Sequence, residues 1–321
     1  VGYKAKFRVI RMKYFHKIIK EISQELDIQI SFLSKNWIIM LTKGNQNHFI
    51  SGYKFDLLPH GLGIVFDDKY ALYHVLTNRN IPIIQHHIIY HEDNPYEYAK
   101  DCKGLGYLTQ LFQKYNHKIV LKTLTGTCGT GVHLVESEEE LTQLFSRLIS
   151  SHSALSVSPY YPITYEFRTI MLKGKAKLLY KKIKPLVIGD GIRTKRELLM
   201  EFNPTYFKTH LIQNAEEILK LGEEYEYDWR FNLAKGAKAS MKIEKEDLIE
   251  INKILEKVNE LFNHEGFYSI DIIKTTSNQF YVMEINSGVM IENFIDQQTD
   301  GYQRAKAIYK EAVMGMFNGN K

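Results

Sequence analysis

Apolar residues recur at helical spacing between positions 13 and 27, where Phe15, Ile18, Ile19, Ile22 and Leu26 share one side, and this predicts a helix. Ile28 to Leu33 and Trp37 to Leu41 then read as strands, so the chain opens on a small α/β segment. Gly52 to Gly63 is loop-like, and Asp67 to Leu76 opens a helix with acids in its first turn, where the helix dipole favours them. Ile81-Pro-Ile-Ile starts a strand, and a polar helical stretch runs from Pro95 to Tyr115. Strand His117 to Leu121, loop Thr123 to Gly131, strand Val132 to Val135 and helix Ser137 to Ser150 follow, with Ser137-Glu-Glu-Glu140 as a capping box. After a short strand at Leu155 to Val157, Tyr165 to Leu172 pairs with Ala176 to Ile183 across Lys173-Gly-Lys175. Thr194-Lys-Arg-Glu197 caps a further short helix. Residues 202–240 read as irregular except for a helix near 208–221, a length that suits a lid or binding loop. Glu246 to Phe262 and Tyr302 to Phe317 are the last helices, and the expected class is α/β (α+β).

Two late segments carry acids inside apolar, β-branched runs: Gly266-Phe-Tyr-Ser-Ile-Asp271-Ile-Ile-Lys and Gln279-Phe-Tyr-Val-Met-Glu284-Ile-Asn286-Ser-Gly288. Thr275-Thr-Ser-Asn278 between them is turn chemistry, so they are expected to form a hairpin. If those four residues close it, Ile273 faces Phe280 and Asp271 faces Val282, with Glu284 one diagonal step away and Asn286 on the same face. Asp271, Glu284 and Asn286 would then offer three oxygen ligands to Mg2+, a cation that prefers hard donors and shares its shell with phosphate. The competing reading is a solvated edge hairpin, disfavoured because carboxylates between Ile, Val and Met are costly to bury unpaired.

Upstream, His117-Lys-Ile-Val-Leu-Lys122 ends in a lysine and runs into Thr-Leu-Thr-Gly-Thr127-Cys-Gly129-Thr-Gly131-Val, a loop of small residues. Backbone N–H groups at Gly129 and Gly131, the Thr127 hydroxyl and the Lys122 ammonium suit a phosphate. Strand-loop-strand differs from the strand-loop-helix of a P-loop, and a plain glycine-rich hairpin is the alternative. On the lysine-rich hairpin, Glu166 and Arg168 share one face, as do Lys182 and Lys184, and Lys182 is a candidate second phosphate ligand. The remaining lysines there read as a solvated edge that resists aggregation. Cys128 reads as a small loop residue rather than a nucleophile, and His86, His87 and His91 as surface histidines without metal-site partners.

At 321 residues and 44% hydrophobic, the chain is long enough for two or three subdomains. No window approaches a membrane-spanning run, and the amino terminus lacks the order of a secretory signal, so the cytoplasm is the expected compartment. Two cysteines, Cys102 and Cys128, are too few for a disulfide framework or zinc site. A net charge of +5 admits anionic ligands but lacks the concentrated basic stripe of a dedicated nucleic-acid binder.

The motifs in their order resemble the ATP-grasp ligases, and most of all the branch of ribosomal-protein glutamate ligases, glutathione synthetases and cyanophycin synthetases. Asp68-Lys69 before a helix and Ile81-Pro82 is similar to the segment leading into that family's ATP site, and Val120-Leu-Lys122 to Gly131 to its nucleotide lysine and phosphate loop. Arg230-Phe-Asn232-Leu-Ala-Lys-Gly236 resembles the RxNLxxGG element near the acyl-phosphate site, with Ala237 in place of the second glycine. Asp271, Glu284 and Asn286 match the family's metal-ligand triplet, and Gly189 to Leu198 resembles a loop and helix of the cyanophycin and bifunctional glutathione enzymes. The resemblance covers about Phe66 to Phe317 and implies two α/β subdomains that clamp ATP. In that layout 1–65 is a short N-terminal segment, 66–317 the ATP-grasp domain, 117–160 its small nucleotide-clamping part and 161–317 its metal-binding part. It also implies ATP with Mg2+ or Mn2+, two ions bridged by Glu284, and an acyl phosphate steadied by Arg230 or Arg168 and captured by an amine. Asn232 joins the nucleotide ligands on the same ground. The implied substrates are amino-acid or peptide-like carboxylates and amines; a small-molecule kinase on the same scaffold, a non-catalytic nucleotide binder and a homo-oligomer stay open.

Overall fold

In the computed structural model, which describes residues 12–124, 131–263 and 266–318, Phe15, Ile18, Ile19 and Ile22 are buried along one side of α1 (Phe15–Glu25). An antiparallel meander follows: β1 (Gln29–Leu33), β2 (Ile38–Lys43), β3 (Gln46–Ser51) and β4 (Lys54–Phe55). The chain clusters into two compact units, one of residues 1–57 with 288–321 and the other of 58–287.

The second unit begins with α2 (His60–Asp67) and α3 (Lys69–Asn78). Its first sheet is built from β5 (His87–Tyr90), β6 (Ile119–Thr123), β7 (Val132–Val135) and β8 (Ala154–Pro159), in the order β5-β8-β6-β7 and antiparallel throughout. Helices α4 (Gly104–Lys114) and α5 (Glu138–Ile149) bury Leu108, Phe112, Leu141 and Leu144 against Ile89, Leu121, Leu155 and Val157 of that sheet. β9 (Ile163–Leu172) and β10 (Lys175–Ile183) form the lysine-rich hairpin. A smaller layer of β11 (Leu186–Ile188), α6 (Lys195–Phe202), α7 (Pro204–Thr209) and β12 (Glu224–Glu226) gathers around Val187, Leu198, Leu199 and Leu219. β13 (Lys238–Ser240), α8 (Lys245–Leu261), β14 (Phe267–Thr275) and β15 (Phe280–Asn286) complete the unit.

The second sheet runs β13-β10-β9-β14-β15, all antiparallel. Period-two alternation gives it two unlike faces. Phe167, Ile270, Ile272, Val282 and Ile285 pack beneath α2, α3 and α8 with Phe66, Leu76, Ile251 and Val258. Glu166, Arg168, Lys182, Asp271 and Glu284 occupy the other face. Truncating fully buried Phe167 to Ala is expected to lower unfolding free energy by about 3–5 kcal/mol in a denaturant titration.

The chain returns to the first unit with α9 (Glu292–Gln297) and α10 (Gly301–Phe317). Tyr309 packs its ring 5.0 Å from Phe15 and 5.7 Å from Phe55. The buried Glu292 carboxylate accepts from the Tyr14 and Phe15 backbone N–H groups, each at 3.0 Å, and so caps the otherwise uncapped start of α1.

Several elements differ from the sequence pattern. The loop expected over 52–63 holds β4 and the start of α2, because burial of Phe66 and packing of Leu62 outweigh the glycines at 61 and 63. Residues 81–84 form no full strand, although Ile83 bridges Val282 and Ile84 N–H donates to the Val282 carbonyl at 3.0 Å. The helix expected at 208–221 is instead Pro204–Thr209, started by the Asn203 cap and proline in its first turn. Leu211 beyond it is 95% exposed, so the apolar positions there have no common buried side. β10 is not an edge, since β13 covers it, and Lys181 and Lys182 are buried rather than solvated. The Thr194–Glu197 capping box forms in full, whereas Ser137 caps α5 while Glu140 reaches Glu136 N–H instead of closing the box. No helix among the described residues is long and apolar enough to cross a membrane.

Candidate functional site

The two larger sheets of the second unit carry polar faces whose charged groups act on one another. Lys122, next to last in β6, lies directly opposite Ser156 of β8, on the face away from α4 and α5. It lies within the fields of Glu284 and Glu166 on the other sheet and of Lys69 at the start of α3. The ammonium is buried and makes no hydrogen bond or ion pair among the described residues. Burial, and then Lys69, lower its pKa to about 8, partly offset by Glu284 and Glu166.

The facing sheet carries a row of charge. Arg168 pairs with Asp271 through both oxygens, with Nε at 2.8 Å, and Lys182 reaches Asp271 at 3.1 Å and Glu166 more closely. Burial works against the charge on Asp271, but Arg168 and Lys182 hold its carboxyl well below the usual range. Glu166 is pushed up to about 7, chiefly by burial, with Lys182 opposing and Asp271 reinforcing the rise.

The acidic hairpin has a register other than the expected one. Lys274 faces Phe280, so the connection is one residue longer, and Ile272 faces Val282. A bulge at Met283 then adds a second residue, which sets Asp271 directly opposite Glu284 and Ser269 opposite Asn286. Each shift alone would turn Glu284 to the other face; together they return it to the face of Asp271. The Asn286 amide donates to Glu284 Oε1 at 3.0 Å, which leaves its carbonyl oxygen turned to other partners.

Glu284 and Asn286 present hard oxygen donors suited to a divalent cation, whereas the Asp271 carboxylate is already satisfied by two cationic side chains. Among the described residues, no three His, Cys, Asp or Glu side chains gather in a metal-binding group.

Arg230 and Asn232 stand apart from this row. Asp228, buried, accepts from Arg230 N–H at 3.0 Å, Nε at 2.9 Å and Nη2 at 2.7 Å, and so fixes the guanidinium. Asn232 caps a 3-10 turn by accepting from Ala234 N–H at 2.9 Å. Gly236 at φ +103° lies so close to the Tyr227 hydroxyl that a Cβ would sit 2.1 Å from it. Gly131 has φ +75° and its carbonyl accepts from Thr123 N–H at 3.2 Å, while Thr127 and Gly129, and Cys128 with them, lie outside the described residues.

The histidines need correcting. His86 is 1% exposed, not a surface residue, and His87 is half-buried, hydrogen bonding Tyr115 at 2.6 Å; only His91 is exposed. Lys69, Glu166, Asp228 and His86 are the groups that pattern reading did not place in the site. Lys69 and Glu166 had a usable signal, since Lys69 belongs to the Asp68-Lys69 motif and Glu166 sits two residues from Arg168 on β9. Asp228 and His86 had none, because their burial is set by tertiary packing.

No protein-family profile matches the chain, and no curated protein matches it in sequence. Among solved structures it is similar to a bifunctional glutathione synthetase from Pasteurella multocida, with 13% identity, 92% of this chain and 43% of that one covered, and a TM-score of 0.50. A D-alanine–D-alanine ligase from Bacillus anthracis matches at 14% identity over 79% of this chain and 66% of its own, with a TM-score of 0.49. The chain thus spans less than half the length of the synthetase.

Proposed function

The fold is that of the ATP-grasp proteins, and from it we propose that the chain is an ATP-dependent carboxylate–amine ligase, ADP-forming, acting on amino-acid or peptide-like substrates. The observation that carries this reading is Lys122, a buried ammonium without a hydrogen-bond or ion-pair partner among the described residues, in the field of carboxylates on the other sheet. Such a group is costly to desolvate unless an anion completes it, and a triphosphate between the sheets would do so. Lys182, one strand beyond Arg168, would reach the same anion once its carboxylate partners shift.

Glu284 and Asn286 are the groups that would hold Mg2+, joined by Asp271 only where its pairs with Arg168 and Lys182 open, and the ion would supply charge neutralisation to the phosphates. Arg230, oriented by Asp228, would steady the charge of an acyl phosphate as it forms, with Arg168 as the second candidate. Phosphoryl transfer of this kind needs positioning and positive charge and no protein nucleophile. The substrate carboxylate would attack the γ-phosphorus and release ADP; an amine would then displace phosphate from the acyl carbon and lose its proton.

Isotope transfer tests this route. A substrate labelled with 18O in its carboxyl group is expected to deliver one labelled oxygen to inorganic phosphate and keep the other in the amide, with ADP, phosphate and amide in equal amounts. A phosphorylated product that persists without amine would overturn the ligase reading in favour of a kinase.

A further inference from the structure

His86 is a buried group that the proposed chemistry does not use. Its Nδ1 lies 2.9 Å from Ser156 Oγ, and its Nε2 is buried with no hydrogen-bond partner among the described residues. Because Ser156 is the direct cross-strand partner of Lys122, the imidazole lies on the same face of the β5-β8-β6-β7 sheet as that ammonium. Its position along the chain matters too. Residues 82–86 carry the chain from the Val282 edge of one sheet to β5 of the other, and Gln85 N–H donates at 3.2 Å to Tyr161, in the second crossing between β8 and β9. His86 is therefore at the back of the cleft, where the two sheets are joined.

Burial keeps this imidazole neutral, and the Lys122 and Lys69 ammonium groups reinforce that, so it adds no charge for phosphate. A neutral ring nitrogen with an unmet hydrogen bond, walled by Ser156 and beside the phosphate-facing lysine, is chemistry for the uncharged end of a nucleotide. A buried polar atom left unsatisfied in the unliganded protein is a cost that a ligand would remove.

We propose that His86 is a specificity residue for the nucleotide, its Nε2 forming a hydrogen bond to the purine base. The inference rests on the nucleotide reading of the cleft. Direct binding measurements with full-length protein would compare ATP, inosine triphosphate and inorganic tripolyphosphate on wild type, His86→Leu and His86→Gln. His86→Leu is expected to weaken ATP by about tenfold, to leave tripolyphosphate unchanged, and to narrow the preference between the two purine triphosphates. His86→Gln, which keeps a side-chain hydrogen-bonding group, is expected to recover most of the loss, and thermal melts would verify that each variant is folded.

Equal weakening of ATP and tripolyphosphate by His86→Leu would overturn the proposal and reduce His86 to a support for Lys122. Unchanged ATP binding in the folded Leu variant would overturn it as well. If wild type binds tripolyphosphate and ATP equally, the base is not read and the inference fails while the phosphate site stands. If it binds neither, the nucleotide reading fails too.

Discussion

Replacing Glu284 with Gln is expected to lower turnover by about a thousandfold or more while leaving the protein folded. The change removes a charge and almost no volume, and it falls on a carboxylate whose partner among the described residues is the neutral Asn286 amide. No ion pair to a protein cation is broken, so the thermal midpoint should move little. Loss of a metal-binding charge in a phosphoryl-transfer site is worth several kcal/mol, and each 1.36 kcal/mol is tenfold in rate. ADP formation with a competent acid and amine pair would be followed across Mg2+ concentrations, and near wild-type rates would refute the metal assignment. Asp271→Asn should behave differently. Its carboxylate holds Arg168 and Lys182 together in a buried network, so its loss is expected to cost about 3–5 kcal/mol of stability in addition to activity. Comparing denaturation midpoints of the two variants separates a charge kept for a ligand from one already spent on the fold.

Lys122→Met should weaken ATP binding by about a hundredfold or more, since a charge-assisted hydrogen bond in a dry cleft is worth more than one at the surface. The same variant should not destabilise the unliganded protein, because the wild-type ammonium has no partner among the described residues to lose. Lys175→Met, at the exposed start of β10, is the matched control and should change neither property. The pH dependence follows from the lowered pKa of about 8. A lysine whose folded pKa lies below its unfolded value favours the fold fully above the unfolded value, and that contribution is lost as pH falls through about 8. A bound anion reverses the shift, so ATP binding takes up a proton above pH 8 and weakens with rising pH by up to tenfold per unit. Calorimetry in buffers of different ionisation enthalpy would detect that uptake; equal losses for Lys122→Met and Lys175→Met would point to a diffuse basic surface instead.

The hydrophobic pattern was sufficient for β6 to β10, β14, β15 and the long helices, whose apolar residues follow a single period and are buried accordingly, but it missed β5 and β13. It was less informative where burial depends on distant partners. α2 forms despite two glycines because Phe66 has a place in the core, and α9 is too short to display a period. The acidic hairpin is instructive because its expected geometry was mistaken in two steps of opposite effect. A turn reads from composition, but a bulge is a property of the paired strands, and only the second shift returns Glu284 to the side of Asp271. The ion pairs of Asp271 were equally hidden, since a triplet of oxygen donors on one face says nothing about which cations the neighbouring strand already offers them.

The first unit is made from both ends of its sequence, with residues 1–57 and 288–321 contributing to one body. The Phe15 side of α1 meets Tyr309, and the backbone at its start meets Glu292, across separations of more than 270 positions. A ribosome therefore releases α1 and the Tyr53 and Phe55 rings that pack on Phe15 long before Tyr309 and Glu292, which complete its cover, have been made. The intervening 58–287 body, compact in itself, can condense first. Closure of the first unit is then a late event in the life of the nascent chain, and it is the stage at which an exposed Phe and Ile surface would be open to capture by chaperones.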